Sequence, residues 1–381
     1  MPEYADEILE QTIRTRQRPR WTFASRWLPI GAVVPTTPAT GRISLRSVGL
    51  LVILALILAA VAAVVGSRPK LPPPFGLAGN GLLAYNPQGD VALLDPETMV
   101  SRTIVLERNR EHDPRWSADG TRLAFLRETG TGLVLVVVDS AGEVQAVTET
   151  FTGIDSDSIA WSPDGRSIAI GGEGPQGHAI YLVDAADGTA RPLAVDYDHQ
   201  EAYWRPPDGD QLLFRAAGTH PGLAIVSIAD GSVVRVPTSS PESSPLRPMG
   251  WTPDGRAVLY QDDSSPDLGT TTLKDIETGT ETTLGVGFGH VSNGGTHVAG
   301  VDRIRRFCII AITGGTCRVI PVGVEVDGSF AAGVSWSPDD RWIAVSAAPG
   351  EPVWLVDPTG AVRPRVVAAS GPGSWQRLAL P

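Results

Sequence analysis

One phrase, repeated at nearly constant spacing, constrains this chain more than any other feature. It reads Trp116-Ser-Ala-Asp-Gly120, Trp161-Ser-Pro-Asp-Gly165, Trp204-Arg-Pro-Pro-Asp-Gly209, Trp251-Thr-Pro-Asp-Gly255 and Trp336-Ser-Pro-Asp-Asp340. A worn copy, Val291-Ser-Asn-Gly-Gly295, fills the gap between the last two, and Ser374-Trp375 opens the phrase once more. Successive copies lie 45, 43, 47, 40, 45 and 39 residues apart. A period of this size marks an array of like supersecondary units rather than one undivided core.

The phrase has a local physical meaning. In Ser-Pro-Asp-Gly the proline presets φ at the second position of a type I turn, the aspartate caps it with its carboxylate, and glycine takes the fourth place. A short apolar strand follows each copy, as in Arg122–Phe125, Ser167–Ile170, Gln211–Phe214, Ala257–Tyr260 and Trp342–Val345. A second hairpin comes next, around turns that contain Asp and Gly. One unit is therefore four antiparallel strands in about 43 residues, the size of a propeller blade. Before the first Trp phrase, Gly81–Tyr85, Asp90–Asp95 and Val100–Leu106 read as three strands, and Ser374–Leu380 reads as one leading strand. Three plus one completes a seventh blade, so the two ends of residues 80–381 pair and close a ring, which removes exposed sheet edges. The expected fold class is all-β, a seven-bladed β-propeller with four-stranded antiparallel blades, preceded by one transmembrane helix. Glycine and proline at 74 of 381 residues suit so many turns and exclude a helical bundle.

The repeated phrase with its following strand resembles the TolB-like, WD-repeat-like β-propeller family, also met in the propellers of prolyl-oligopeptidase-type enzymes. The resemblance covers residues 80–381 and implies a fold, with the Trp residues wedged between neighbouring blades. The chain departs from the pattern at Trp204, followed by Arg-Pro-Pro, and at Val291, where Trp and Pro-Asp are both lost and a looser blade is expected.

Residues 48–66, VGLLVILALILAAVAAVVG, form an uncharged apolar run of 19 residues. At 1.5 Å per residue a helix of this length spans about 28 Å, close to the hydrocarbon core of a bilayer. The 47 residues before it are too many for the charged head of a signal peptide, so the run reads as an uncleaved anchor. Residues 1–47 carry seven arginines and a net charge of +3, whereas the remainder carries 24 basic and 38 acidic residues. The positive-inside rule then places the tail in the cytoplasm and the propeller outside. Within the tail, Tyr4–Arg16 reads as a short amphipathic helix and residues 15–29 set Trp21 and Trp27 among arginines, as in segments that lie on anionic lipid. The tail also resembles cytoplasmic segments of bacterial anti-sigma-type membrane proteins, but it lacks the His-x-x-x-Cys-x-x-Cys zinc signature. The proline-rich residues 67–79 are expected to be a stiff spacer.

Catalytic signatures are absent from the sequence. There is no Gly-x-Ser-x-Gly elbow, Gly-rich phosphate loop or His-Glu-x-x-His helix. The six histidines are scattered, so no metal site and no cofactor are expected. A net charge of −11 disfavours nucleic acid as a partner. Cys308 and Cys317 flank Thr313-Gly-Gly-Thr316; a turn centred there sets Cys317 opposite Ala311 or Ile312, some 10 Å from Cys308, so two unpaired cysteines are expected.

One arrangement points to binding. Residues just before each Trp begin the innermost strand of a blade and approach the channel. They include Asp113, Asp157 and Glu201, an acidic wall, with Arg247 opposing it. The expected role is a non-catalytic binding or scaffold module for a protein, peptide or glycan at the bacterial envelope. The alternatives are a hydrolase or lactonase-like enzyme built on those carboxylates, and a transmembrane regulator signalling through the basic tail.

Overall fold

The computed structural model describes residues 52–57, 71–87, 89–105, 109–154, 159–195, 202–216, 221–241, 243–264, 270–322, 333–346 and 352–380. Residues 70–381 form one compact unit, and residues 1–69 another. In the latter only 52–57 is described, as helix. The rest of the expected anchor at 48–66, and the tail at 1–47, lie outside the described residues. Among the described residues no helix is long and apolar enough to cross a membrane.

The larger unit is a seven-bladed propeller of antiparallel four-stranded blades. Blade 1 comprises Glu111–Trp116, Arg122–Thr129, Gly132–Asp139 and Val144–Val147, hydrogen-bonded in chain order from the axis outward. In blade 2 the described parts of the inner strand are Gly153–Ile154 and Ala160–Trp161, followed by Ser167–Gly174, Gly177–Asp184 and Ala190–Val195. Blades 3, 4 and 5 begin with Ala202–Trp204, Leu246–Trp251 and Gly287–Val291, and blade 6 with Val334–Trp336. The last strand, Arg365–Leu378, serves two blades. Its first residues pair with Pro352–Val356 as the outer strand of blade 6. Its later residues pair with Gly79–Asn86 as the inner strand of blade 7, for example Leu83 with Trp375. The ring closes as the residue pattern predicts, three N-terminal strands meeting one C-terminal strand.

Side-chain alternation builds the joints. On a strand, neighbours point to opposite faces, so in blade 1 Leu123 and Phe125 pack against blade 7 while Ala124 and Leu126 pack against blade 2. Seven buried apolar clusters result, one at each joint of the ring.

The Trp residues wedge into these joints, and their indoles also donate. Trp161 Nε1 donates to Arg115 O at 2.9 Å, Trp204 to Ala160 O at 2.9 Å, Trp251 to Tyr203 O at 3.1 Å, Trp336 to His290 O at 2.9 Å and Trp375 to Ser335 O at 3.0 Å. Each acceptor is the residue just before the corresponding position of the preceding blade, so each indole stitches two inner strands together. Two joints break the series. Val291 has no indole to offer, and at the ring closure Trp116 Nε1 is buried without a partner, while the Trp116 amide donates to Ser374 Oγ at 2.9 Å.

The turns behave as their residues require. Ser117, Ser162, Thr252 and Ser337 each donate a hydroxyl to the aspartate two residues on at 2.6 Å. The fourth residue returns its amide to the first carbonyl, as Gly165 to Ser162 at 2.9 Å, and it does so at φ +67°, where glycine is favoured.

One expectation is corrected. Cys308 and Cys317 form a disulfide, with Cα atoms 5.7 Å apart. The hairpin is registered with Cys308 opposite Val319 and Ile309 opposite Arg318. This is two residues away from a turn centred on the glycines. Cys317 thereby falls diagonal to Cys308, within bridging reach.

Candidate functional site: the two ends of the channel

Every inner strand runs from a channel mouth, where connections enter from the preceding blade, to the face formed by the Trp-Ser-Pro-Asp turns. Two of the four residues singled out from the sequence are described. Asp113 lies in the inner strand of blade 1 and Arg247 in that of blade 4, whereas Asp157 and Glu201 lie outside the described residues.

Asp113 sits at a bulge. His112 pairs with Leu126 and Arg115 with Ala124, so two residues oppose one, and Asp113 takes φ +54°. Its carboxylate meets His112 Nδ1 at 2.9 Å. Burial works to raise the Asp113 pKa, but the His112 hydrogen bond and the nearby Arg115 charge outweigh it and hold the carboxyl below its usual range. Blade 5 carries a similar bulge, with Phe288 at φ +51° between Gly287 and His290. Bulges of this kind re-aim side chains, and left-handed non-glycine residues cost free energy that the surrounding structure must offset.

Arg247 does not stand alone against an acidic wall. Its Nε donates to Asp263 Oδ2 at 3.1 Å, and Arg215 of blade 3 approaches the same oxygen at 3.9 Å. Deeper in blade 1, the fully buried Glu111 accepts from Arg127 Nε at 3.0 Å. Sequence reasoning missed Asp263, Arg127 and Glu111, because pairing across a hairpin depends on register. Among the described residues no group of three or more His, Cys, Asp or Glu side chains is placed to hold a metal ion.

The turn face is different. A cavity of about 380 Å³ lies there, walled by Trp161, Trp204, Trp251 and Trp336, with residues 74–76 among its lining. Of the spacer expected at 67–79, the described residues from 71 onward are folded against the propeller. Pro72 is buried, Phe75 packs on the apolar cluster between blades 2 and 3, and the Ala78 amide donates to Pro338 O of blade 6 at 2.9 Å. This strap therefore spans the channel. Arg377 clamps it, donating to Pro73 O at 3.0 Å and to Gly76 O, and reaching Asn293 Oδ1 of blade 5 at 2.9 Å. Burial pushes the Arg377 pKa down to about 10, so it remains charged at neutral pH. The worn turn of blade 5 is pinned on this side, since the amides of Asn293 and Gly294 both donate to the Asp340 carboxylate at 2.7 Å.

Between the two ends, His290 faces the channel. Burial, aided by the Arg115 charge, pushes its pKa down to about 4, so the ring is neutral at physiological pH.

TolB from Acinetobacter baumannii superposes with a TM-score of 0.52 at 17% identity, over 79% of this chain and 81% of TolB. The domain has the β-propeller fold of TolB. A functionally unknown protein from Desulfotomaculum acetoxidans shares that fold, with a TM-score of 0.57 at 14% identity over 78% of this chain and 99% of that one. An oligogalacturonate lyase in complex with manganese is also similar, with a TM-score of 0.53 at 17% identity over 69% of this chain and 81% of the lyase. In sequence the chain is 26% identical over 153 residues to the uncharacterized peptidase YuxL of Bacillus subtilis. That stretch is 40% of this chain but only 22% of the peptidase. No family model matches. A shared fold of this kind does not by itself specify an activity.

Proposed function

We propose that this TolB-like propeller is a non-catalytic binding module, held at the bacterial envelope by residues 48–66, which presents its channel mouth to a protein or peptide partner outside the cell. The observation that carries the reading is the pairing of charges at the mouth. Asp113 is satisfied by His112, Glu111 by Arg127 and Asp263 by Arg247, each within its own blade. The Asp113–His112 and Asp263–Arg247 pairs fix charges on a rigid surface, which suits electrostatic complementarity with a partner. A general base needs a pKa raised toward neutrality, whereas Asp113 is shifted the other way. The Cys308–Cys317 bond supports an extracytoplasmic location, because disulfides persist in oxidising compartments.

Crosslinking in intact cells tests the proposal, comparing wild type with a variant carrying Asp113→Asn and Arg247→Ala. A partner captured by wild type and lost from the variant is the expected result. Equal capture by both would move the site off the mouth. Saturable binding of Mn²⁺ by calorimetry, abolished in an Asp113/Asp157/Glu201 triple-alanine variant, would instead favour the carboxylate-enzyme reading. Location is checked separately: after reduction, an impermeant maleimide should label Cys317 in whole cells.

A further inference from the structure

We propose that the cleft between blades 4 and 5 on the turn face receives the arginine side chain of a partner polypeptide. The proposal concerns a site apart from the channel mouth and stands whether or not the mouth binds.

The argument begins at joints that are filled. Between blades 1 and 2, the Arg122 guanidinium lies 5.3 Å from the ring centre of Trp161, donates to Ala185 O at 3.3 Å and also donates to Gly165 O. Between blades 3 and 4, Arg205 lies 5.1 Å from the ring centre of Trp251 and donates to Gly255 O at 3.1 Å. At the ring closure Gln376 Nε2 caps Gly120 O at 2.7 Å. Three turn glycines thus have their carbonyls capped by a side chain from the preceding blade.

The joint between blades 4 and 5 lacks these parts. The place of Trp161 is taken by Val291, that of Arg122 by Ala257, that of Gly165 by Gly295 and that of Ala185 by Ile312. Where the filled joint holds an indole and a guanidinium, an open cleft of about 640 Å³ remains, lined by Ala257, Gly295 and Ile312. No side chain of blade 4 caps the Gly295 carbonyl among the described residues. One wall is the hairpin tip at 312–313, which the Cys308–Cys317 bond closes off and holds in shape.

Charge selects the occupant. Asp254 and Asp275 line the cleft, and each uses Oδ1 to cap its own turn. Arg256, at the exposed edge, faces Asp275 electrostatically, which leaves two carboxylates to one resident cation. An incoming guanidinium restores the balance and, being a planar fork of donors, reaches backbone carbonyl and carboxylate together as Arg122 does within the chain. A lysine ammonium is a point charge and lacks that reach.

The test uses the full-length protein and N-acetyl-arginine amide as probe, read by saturation-transfer NMR. We expect transfer to the arginine methylenes, with at least threefold less to N-acetyl-lysine amide at the same concentration. Ala257→Arg supplies the missing guanidinium from within and should cut transfer about fivefold; Asp275→Asn should weaken it. Equal transfer to both probes, or transfer unchanged in both variants, would overturn the proposal. If Ala257→Arg fails to fold, the Asp254→Asn/Asp275→Asn pair decides: loss supports the site and retention refutes it.

Discussion

The two ends of the channel are made from the same seven strands yet obey different rules. At the turn face the blades reuse one set of parts: a hydroxyl on an aspartate in blades 1, 2, 4 and 6, a turn closed at positive φ in blades 1 to 6, and an indole bonded to the preceding blade's backbone in blades 2, 3, 4, 6 and 7. Among the described residues of the mouth the blades differ. Blades 1 and 5 bulge at Asp113 and Phe288, and the ion pairs of blades 1 and 4 sit at different depths. Repetition is the signature of a stability constraint shared by every unit, whereas divergence on a rigid frame is where specificity resides. Substitutions at the turn face should therefore cost stability, and those at the mouth should cost binding.

The largest expected effect is at the turn face. Trp251→Ala removes a buried indole from the joint with blade 3 and should cost about 3–5 kcal/mol, read by urea unfolding. Trp204→Phe keeps an aromatic ring and loses the N–H donated to Ala160 O, so it should cost nearer 1 kcal/mol. Equal costs for the two would mean that the bonded ring of indoles contributes as much as the packing, and the comparison would need redrawing.

Next comes the strap. Arg377→Ala removes donors to Pro73 O, Gly76 O and Asn293, so about 2–3 kcal/mol is expected. The specific readout is limited proteolysis, which should cut between residues 71 and 78 in the variant before it cuts any blade. Resistance equal to wild type would show that Phe75 packing alone holds the strap.

These two cases also show what was legible in the residue order. The period, the turns and the three-plus-one closure followed from local chemistry, because a turn needs only its own four residues. The indole acceptors did not, since they are backbone carbonyls 40 to 48 residues away. The strap did not either: the proline-rich stretch reads as a stiff spacer, but its described part, residues 71–78, folds against the propeller under a clamp, Arg377, some 300 residues later. The Cys308–Cys317 pairing turned on a two-residue difference in register that the glycines of the turn do not encode.

A smaller effect concerns pH. His290 titrates near 4 in the folded protein against about 6.5 when unfolded. Its contribution to stability is fully present above pH 6.5 and is lost as pH falls toward 4. The Tm of wild type should fall between pH 7 and pH 5 by more than that of His290→Gln. Parallel curves would mean that the imidazole is hydrated in solution.

The smallest stability effect is the one that most sharpens the contrast between the ends. Arg247 is partly exposed and its pair with Asp263 lies at the surface of the mouth, so Arg247→Ala should cost under about 1 kcal/mol. The same change removes a fixed positive charge from the face proposed to meet a partner, and truncating one member of a charge pair also leaves Asp263 to repel an acidic ligand. Unfolding midpoints and crosslinking yields, measured on the same preparations, separate the two consequences. A variant as stable as wild type that captures nothing would place Arg247 in the interface. A variant that captures normally would confine the role of the Arg247–Asp263 pair to holding the end of its own hairpin, and the search for the partner face would pass to the cleft beside Gly295.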